Sequence, residues 1–206
     1  GTQCQDCHMA KERAPIATGS PVRTGVPHHG LLGLARDLRQ RALALEATVK
    51  DDAGSLAVTV TVRNNNAGHA VPAGLPERRI VVRVRVVDAA GAQVAQETRA
   101  LGRLLVDAAG NEVPFWRAAK VGSDTRIGVG ASWQDTFKLA AANIGTVEID
   151  VVYRGMSDAV AKELAITEVE EMPMVRAKIR LGGALPKSVS VKPPPPGKRV
   201  PKRAAP

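Results

Sequence analysis

From residue 55 onward, hydrophobic residues recur at every second position of the chain, beginning with Leu56, Val58, Val60 and Val62. A period of two is typical of a strand with one buried face. Further strands are predicted at residues 80–87, 93–100, 103–107, 132–139, 146–154 and 175–181. Residues 88–91, of sequence Asp-Ala-Ala-Gly, predict a hairpin turn between two of them. Several short strands separated by turns predict a mainly β fold, an antiparallel β-sandwich over residues 51–185.

A helical period comes before these strands. One stripe of a helix would hold six hydrophobic residues, Leu31, Leu34, Leu38, Ala42, Leu45 and Val49. The pattern predicts one helix over residues 31–49, inside a segment of residues 1–50 that precedes the sandwich. Ser157 predicts the N-cap of a second, short helix that ends near Leu164.

Composition adds three expectations to this outline. Hydrophobic residues make up 44% of the 206 residues but aromatic residues only 2%, so the core is expected to be aliphatic. No run of 18 apolar residues occurs, which predicts no membrane span in this chain. Residues 186–206 contain four consecutive prolines and several lysines and arginines without an acid, which predicts a flexible basic tail.

The formal net charge of +9 raises the question of nucleic-acid binding. Part of that charge lies in the tail, and elsewhere acidic and basic residues are interleaved. Aromatic side chains for base stacking are nearly absent, so no nucleic-acid partner is expected. A basic surface also attracts acidic redox proteins and offsets the propionates of a haem, and we favour this interpretation.

The most specific motif lies at the start of the chain, where residues 4–8 read Cys-Gln-Asp-Cys-His. Two thiols at this spacing, Cys4 and Cys7, can each form a thioether with one vinyl group of the same porphyrin. The next residue, His8, is then held beneath the iron as an axial ligand. The motif predicts one covalent haem c site, with Cys4 and Cys7 binding the cofactor and His8 binding its iron.

Two other uses of the cysteines compete with this interpretation. A disulfide between closely spaced cysteines is usually catalytic, but no thioredoxin-like βαβ pattern follows. A structural zinc site needs a second pair of ligands at suitable spacing, and the remaining histidines do not supply one. Haem attachment is therefore the favoured interpretation.

A second axial ligand has to come from elsewhere in the fold. His29 and His69 lie in glycine-flanked loops, where the backbone can approach a flat macrocycle closely, and both are candidates. For His28 a surface position is the better interpretation. Met156, Met172 and Met174 lie in or beside apolar segments and are expected to pack in the core. The difference in loop-closure entropy between His29 and His69 is about 1 kcal/mol, which does not decide between them.

Three stretches together resemble the C-terminal part of bacterial multihaem c-type cytochromes. They are the haem motif at residues 4–9, the segment His29-Gly30-Leu31-Leu32-Gly33, and the segment 67–74 followed by Arg78, Arg79 and residues 124–127. The first is similar to the last haem motif of that family, and the third to its closing β-sandwich module. Ala73 stands where threonine is more usual there, and the aromatic residue usual in the second element is missing.

This resemblance implies bis-histidine haems, with His29 and His69 as axial ligands, and further haem motifs upstream of Gly1. It also implies an extracytoplasmic location, periplasmic or at the cell surface, because c-type haems are attached outside the cytoplasm. The partners implied are redox proteins or other cytochrome subunits.

Three functions remain open at this point. The favoured one is electron transfer through the covalent haem by a non-enzymatic carrier, as part of a multihaem cytochrome. An enzyme, a reductase with an open haem position, is the second. The third is a docking or binding β-sandwich module of a multihaem reductase complex.

Overall fold

The computed structural model describes residues 3–9, 11–28, 31–52, 54–140, 144–181 and 189–191. It divides the chain into two units, the first ending at Gln40 and the second beginning at Arg41. The first unit contains a short helix α1 (Cys4–His8), an antiparallel hairpin of β1 (Lys11–Pro15) and β2 (Val22–Pro27), and most of helix α2 (Leu31–Ala42). No described helix is both long and apolar enough to cross a membrane.

The second unit is built from two antiparallel sheets. In chain order its elements are β3 (Leu43–Asp52), β4 (Ser55–Asn64), β5 (Arg79–Asp88), β6 (Gln93–Val106), β7 (Lys120–Asp124), β8 (Ser132–Leu139), β9 (Ile144–Arg154), helix α3 (Asp158–Glu163), β10 (Glu171–Arg180) and β11 (Val189–Val191). One sheet has the order β10-β9-β5-β6-β7 and the other β11-β3-β4-β8. The predicted mainly β, antiparallel fold is confirmed.

The alternating residues supply one aliphatic core from both sheets. Along β4, Leu56, Val58, Val60 and Val62 are fully buried, and along β5 the same holds for Ile80, Val82, Val84 and Val86. All eight belong to a single hydrophobic cluster. Strand β5 lies in the centre of its sheet. The apolar faces of the two sheets therefore pack against each other as a sandwich.

The opposite face of the five-stranded sheet carries two rows of charges. In one row Arg83 on β5 lies opposite Asp150 on β9, and Asp150 lies opposite Arg176 on β10. In the next row Arg85, Glu148 and Lys178 occupy the same three strands. Asp150 is only 4% exposed, and both Arg85 and Arg176 donate hydrogen bonds to it. Each central carboxylate is thus neutralised by cations on the neighbouring strands, which a nearly buried charge requires.

The predicted helix over residues 31–49 is wrong beyond residue 42. Residues 43–52 form strand β3, which pairs with β4 from Leu43 opposite Asn64 to Asp52 opposite Ser55. Leu43, Leu45, Ala47 and Val49 are buried at a period of two. The helical stripe and this strand share Leu45 and Val49, and pairing with β4 decides in favour of the strand. The sandwich therefore begins near residue 43 and not at residue 51.

The predicted flexible tail over residues 186–206 is also wrong in part. Val189–Val191 form strand β11, which pairs with Ala47, Thr48 and Val49 of β3. Two of these three residues are valines, which favour strands, and they pair along an otherwise unpaired edge of β3. The rest of the segment 186–206 lies outside the described residues.

Candidate haem-binding site

The cysteine motif forms a single helical turn, α1. Its start is held by Asp6, whose carboxylate accepts a hydrogen bond from the backbone nitrogen of Gln3 at 2.9 Å. Its end is closed by the backbone nitrogen of Met9, which donates to the carbonyl of Gln5 at 2.9 Å. A carboxylate in the first turn also suits the positive end of the helix. The residues between and around the cysteines therefore fix the conformation that carries the thiols.

Helical geometry brings the three predicted haem residues to one side. Cys7 and His8 follow Cys4 by three and four positions, and residues at these spacings share a helix face. All three side chains are exposed, and neither cysteine takes part in a disulfide. Along the described part of the chain, no three Cys, His, Asp or Glu side chains converge as they would on one metal ion. Two accessible thiols and an imidazole on one face fit the two vinyl groups and the iron of a haem better than a zinc ion.

The hairpin that follows accounts for one of the histidines. His28, next to the end of β2, has its Nδ1 atom 3.0 Å from the carboxylate oxygen Oε1 of Glu12 on β1. This contact gives His28 a hydrogen-bonded surface role, as the sequence suggests. His29, the other candidate in this loop, lies outside the described residues.

His69 lies in the second unit, in the loop between β4 and β5. The loop is held by Asn64, the fully buried last residue of β4. Its amide nitrogen donates to the carbonyls of His69, at 2.8 Å, and of Ile127, at 3.1 Å, and its amide oxygen accepts from the nitrogen of Ala67. Two backbone hydrogen bonds between Val71 and Ile127 continue the attachment. The backbone of His69 is therefore fixed from both sides.

The imidazole of His69 also has a defined tautomer. Its Nδ1 atom is 3.0 Å from the carbonyl oxygen of Ala70, which can only accept a hydrogen bond. In the neutral ring Nδ1 then carries the proton and Nε2 the lone pair. Histidines that bind metals usually donate their other N–H to a carbonyl or carboxylate in this way. The side chain is exposed and has the proton arrangement of an axial ligand.

The far end of the same loop is anchored by charged residues. Arg79, 7% exposed, donates to the carbonyl of Pro76 at 2.6 Å and to Glu112 at 2.7 Å. Glu77, equally buried, accepts a hydrogen bond from the backbone nitrogen of Phe115 at 2.8 Å. Arg78 donates to the carbonyl of Ala73 at 2.7 Å. These contacts tie the loop to the connection between β6 and β7.

The predicted site residues thus fall into two groups. Cys4, Cys7 and His8 come together on α1 of the first unit, and His69 lies on the second unit.

The three methionines proposed as packing residues are half-buried or buried, and Met174 belongs to the core. Sequence reasoning missed Asn64, although the polar run Asn64-Asn65-Asn66 at the end of a strand pattern marks a loop that its side chains can organise.

Comparison with known proteins gives a likeness in fold. No family model matches the chain, and no curated protein matches it. A similar solved structure is the crystal structure of a penta-heme cytochrome c552 from Thermochromatium tepidum, with a TM-score of 0.65 and 22% sequence identity. The match covers 87% of this chain and 47% of that chain. This chain shares its fold with part of a multihaem cytochrome. It spans about half the length of that protein, and at this identity the likeness concerns the fold alone.

Proposed function

We propose that this chain transfers electrons through a haem c attached to Cys4 and Cys7, with His8 as an axial ligand, as part of a multihaem cytochrome. The observation that carries the proposal is the helical turn that brings two accessible thiols and an imidazole to one face. The fold shared with a protein named as a penta-heme cytochrome supports it. The haem supplies the redox chemistry when bound, and the chain attaches the group, ligates it and sets its surroundings.

We further propose that His69 is an axial ligand of a haem iron. The support is the fixed backbone, the Nδ1 contact with Ala70 and the exposure of the ring. An iron with imidazole on both faces offers no position to a substrate, which favours a carrier over an enzyme. His29 is the other candidate from the sequence. Partners of this carrier would be redox proteins or other cytochrome subunits, met outside the cytoplasm.

The covalent haem is tested by producing the chain in a host that attaches c-type haems in its periplasm. The intact mass should exceed that of the polypeptide by one haem. The haem absorption should stay with the protein after acid–acetone extraction, because thioether bonds survive a treatment that removes non-covalent haem. A colourless protein of polypeptide mass, from a culture that matures another c-type cytochrome, would show that the proposal is wrong.

The ligand proposal is tested with His69→Gln. The variant should lose the six-coordinate, low-spin ferric spectrum of the haem that His69 serves, because glutamine does not replace a neutral imidazole on iron. The matched control is His28→Gln, whose ring contacts Glu12 and which should leave the spectrum unchanged.

His29→Gln and the double variant His29→Gln/His69→Gln complete the series. A low-spin spectrum in both His69 variants would contradict this assignment. A high-spin spectrum in the unaltered protein would instead favour an open iron position and hence the reductase alternative.

A further inference from the structure

Three arginines surround a notch in the loop that carries His69. Arg78 precedes β5, Arg103 lies on β6, and Arg126 follows the end of β7; proline and leucine residues of the loop line the same notch, namely Pro72, Leu75 and Pro76. The notch encloses about 10 Å³, at most the room of one water molecule, so a ligand would lie over the arginines. Pro72, Arg78 and Arg126 lie in the stretches that resemble multihaem cytochromes, but none of the residues that line the notch is a site residue predicted from the sequence.

The charges around the notch do not balance within the described residues. Arg126 makes two hydrogen bonds of 2.8 Å to the two carboxylate oxygens of Asp124, and Arg103 lies 3.1 Å from one of them. Arg126 thereby holds the pKa of Asp124 far below its usual range. Arg78 bonds to the Ala73 carbonyl and lies 6.0 Å from the centre of the Tyr153 ring. Arg103 and Arg126 thus share one carboxylate and Arg78 donates to a carbonyl, and each guanidinium group has five N–H donors, more than these contacts use.

His69 and the segment that carries Arg126 are both attached to the buried side chain of Asn64. Asn64 donates to the carbonyls of both His69 and Ile127. Ile127 in turn pairs with Val71, and Arg126 is the residue before it. Leu75, in the same loop as His69, is 55% exposed. The loop carries the exposed imidazole of His69 and the exposed Leu75, and Arg78, Arg103 and Arg126 line the notch together with Leu75.

We propose that this surface binds one face and the propionate edge of the haem that His69 ligates, with Arg78, Arg103 and Arg126 holding the propionate carboxylates. The proposal rests on the proposed role of His69. A haem is the ligand that combines an iron for the imidazole, an apolar macrocycle for the proline and leucine side chains, and two carboxylates for the guanidinium groups. Guanidinium groups bind carboxylates in a planar, two-point geometry, as Arg126 binds Asp124 here.

The experiment compares two ligands that differ only at the propionates. The full chain with Cys4→Ser and Cys7→Ser, which cannot attach haem covalently, is titrated with ferric haem and with its dimethyl ester in one detergent buffer. Arg103→Gln and Arg126→Gln should each weaken binding of haem about tenfold, equivalent to ~1.4 kcal/mol, because each removes a charge-assisted hydrogen bond. Binding of the ester should change less than twofold. The control is Lys138→Gln. Lys138 is an exposed cation on β8, and this variant should change neither the binding of haem nor that of its ester.

The variant Asp124→Asn is expected to change haem affinity in the opposite direction to the arginine variants. Removing the carboxylate that competes for Arg103 and Arg126 should strengthen haem binding severalfold and leave ester binding unchanged, a gain that partial unfolding does not produce. Equal losses for haem and ester, or no loss, would overturn the proposal.

His69→Gln in the same titration separates the two hypotheses. If the arginine variants still discriminate haem from ester while His69→Gln leaves the spin state unchanged, the propionate surface stands and the axial role of His69 fails.

Discussion

The double variant Cys4→Ser/Cys7→Ser is expected to lose all covalently bound haem. A thioether needs a thiol that can add to a vinyl group, and serine oxygen does not replace sulfur in this reaction under maturation conditions. Both cysteines of the chain lie in α1, so no other thiol can substitute. The mass should fall to that of the polypeptide, and absorption after acid–acetone extraction should vanish. Each single variant should retain one thioether and a haem that is still covalently bound.

The matched control for this experiment is Gln5→Ala. Its side chain lies between the two cysteines and is exposed, while the carbonyl that closes the turn belongs to the backbone and remains. This variant should keep the full haem content. The second unit serves as an internal check, since its β-sheet circular dichroism should be the same in all variants. Covalent haem in the double variant would exclude Cys4 and Cys7 as the attachment points.

Val84→Asp is expected to unfold the second unit. Val84 lies in the middle of the central strand β5, fully buried between the sheets, and the described residues of its core cluster are all hydrophobic, so none of them can pair with a carboxylate. The variant loses the burial of a valine side chain, worth roughly 2 kcal/mol, and must place a charge in an apolar site. Together these cost on the order of 5 kcal/mol, comparable to the whole stability of many domains. Chemical denaturation followed by circular dichroism should show a greatly lowered midpoint or no folded baseline.

The same substitution at Val94 is the control. Val94 lies on β6 and is 45% exposed, so a carboxylate there stays hydrated. Val94→Asp should change the free energy of unfolding by about 0.5 kcal/mol or less. Similar effects of the two variants would mean that Val84 does not face the core.

The sandwich was predictable from sequence because its strands alternate strictly. Strand β8 has the predicted bounds, and Ser157 caps α3 by accepting a hydrogen bond from the backbone nitrogen of Val160. Strand β3 was not predictable, because its hydrophobic residues fit both the period of a helix and the period of a strand. Its pairing with the next strand, β4, decides between them. The β1–β2 hairpin was also missed, since its residues are mostly exposed and show no burial period.

The candidate site also has one part that the sequence predicts and one part that it does not. The haem motif is local, so its five residues carry the whole prediction and the helical turn adds only their common face. The surroundings of His69 are not local. Asn64, Ile127 and Arg126 come together through the hydrogen bonds between the β4–β5 loop and the segment after β7, and no sequence spacing encodes that contact.

The charge rows on the five-stranded sheet have a consequence for how the strands find their register during folding. Sliding β9 by one residue along β5 would turn Asp150 towards the apolar core, and the hydrophobic pattern alone rejects that error. Sliding it by two keeps the apolar face intact, so burial does not reject it. In either direction, however, a carboxylate would then face a valine: Asp150 opposite Val81, or Glu148 opposite Val87. For Asp150, which is nearly buried, the loss of its contact with Arg85 would cost several kcal/mol, and the half-buried Glu148 would lose less. The ionic rows therefore favour the observed register of β9 on β5 over a register shifted by two residues.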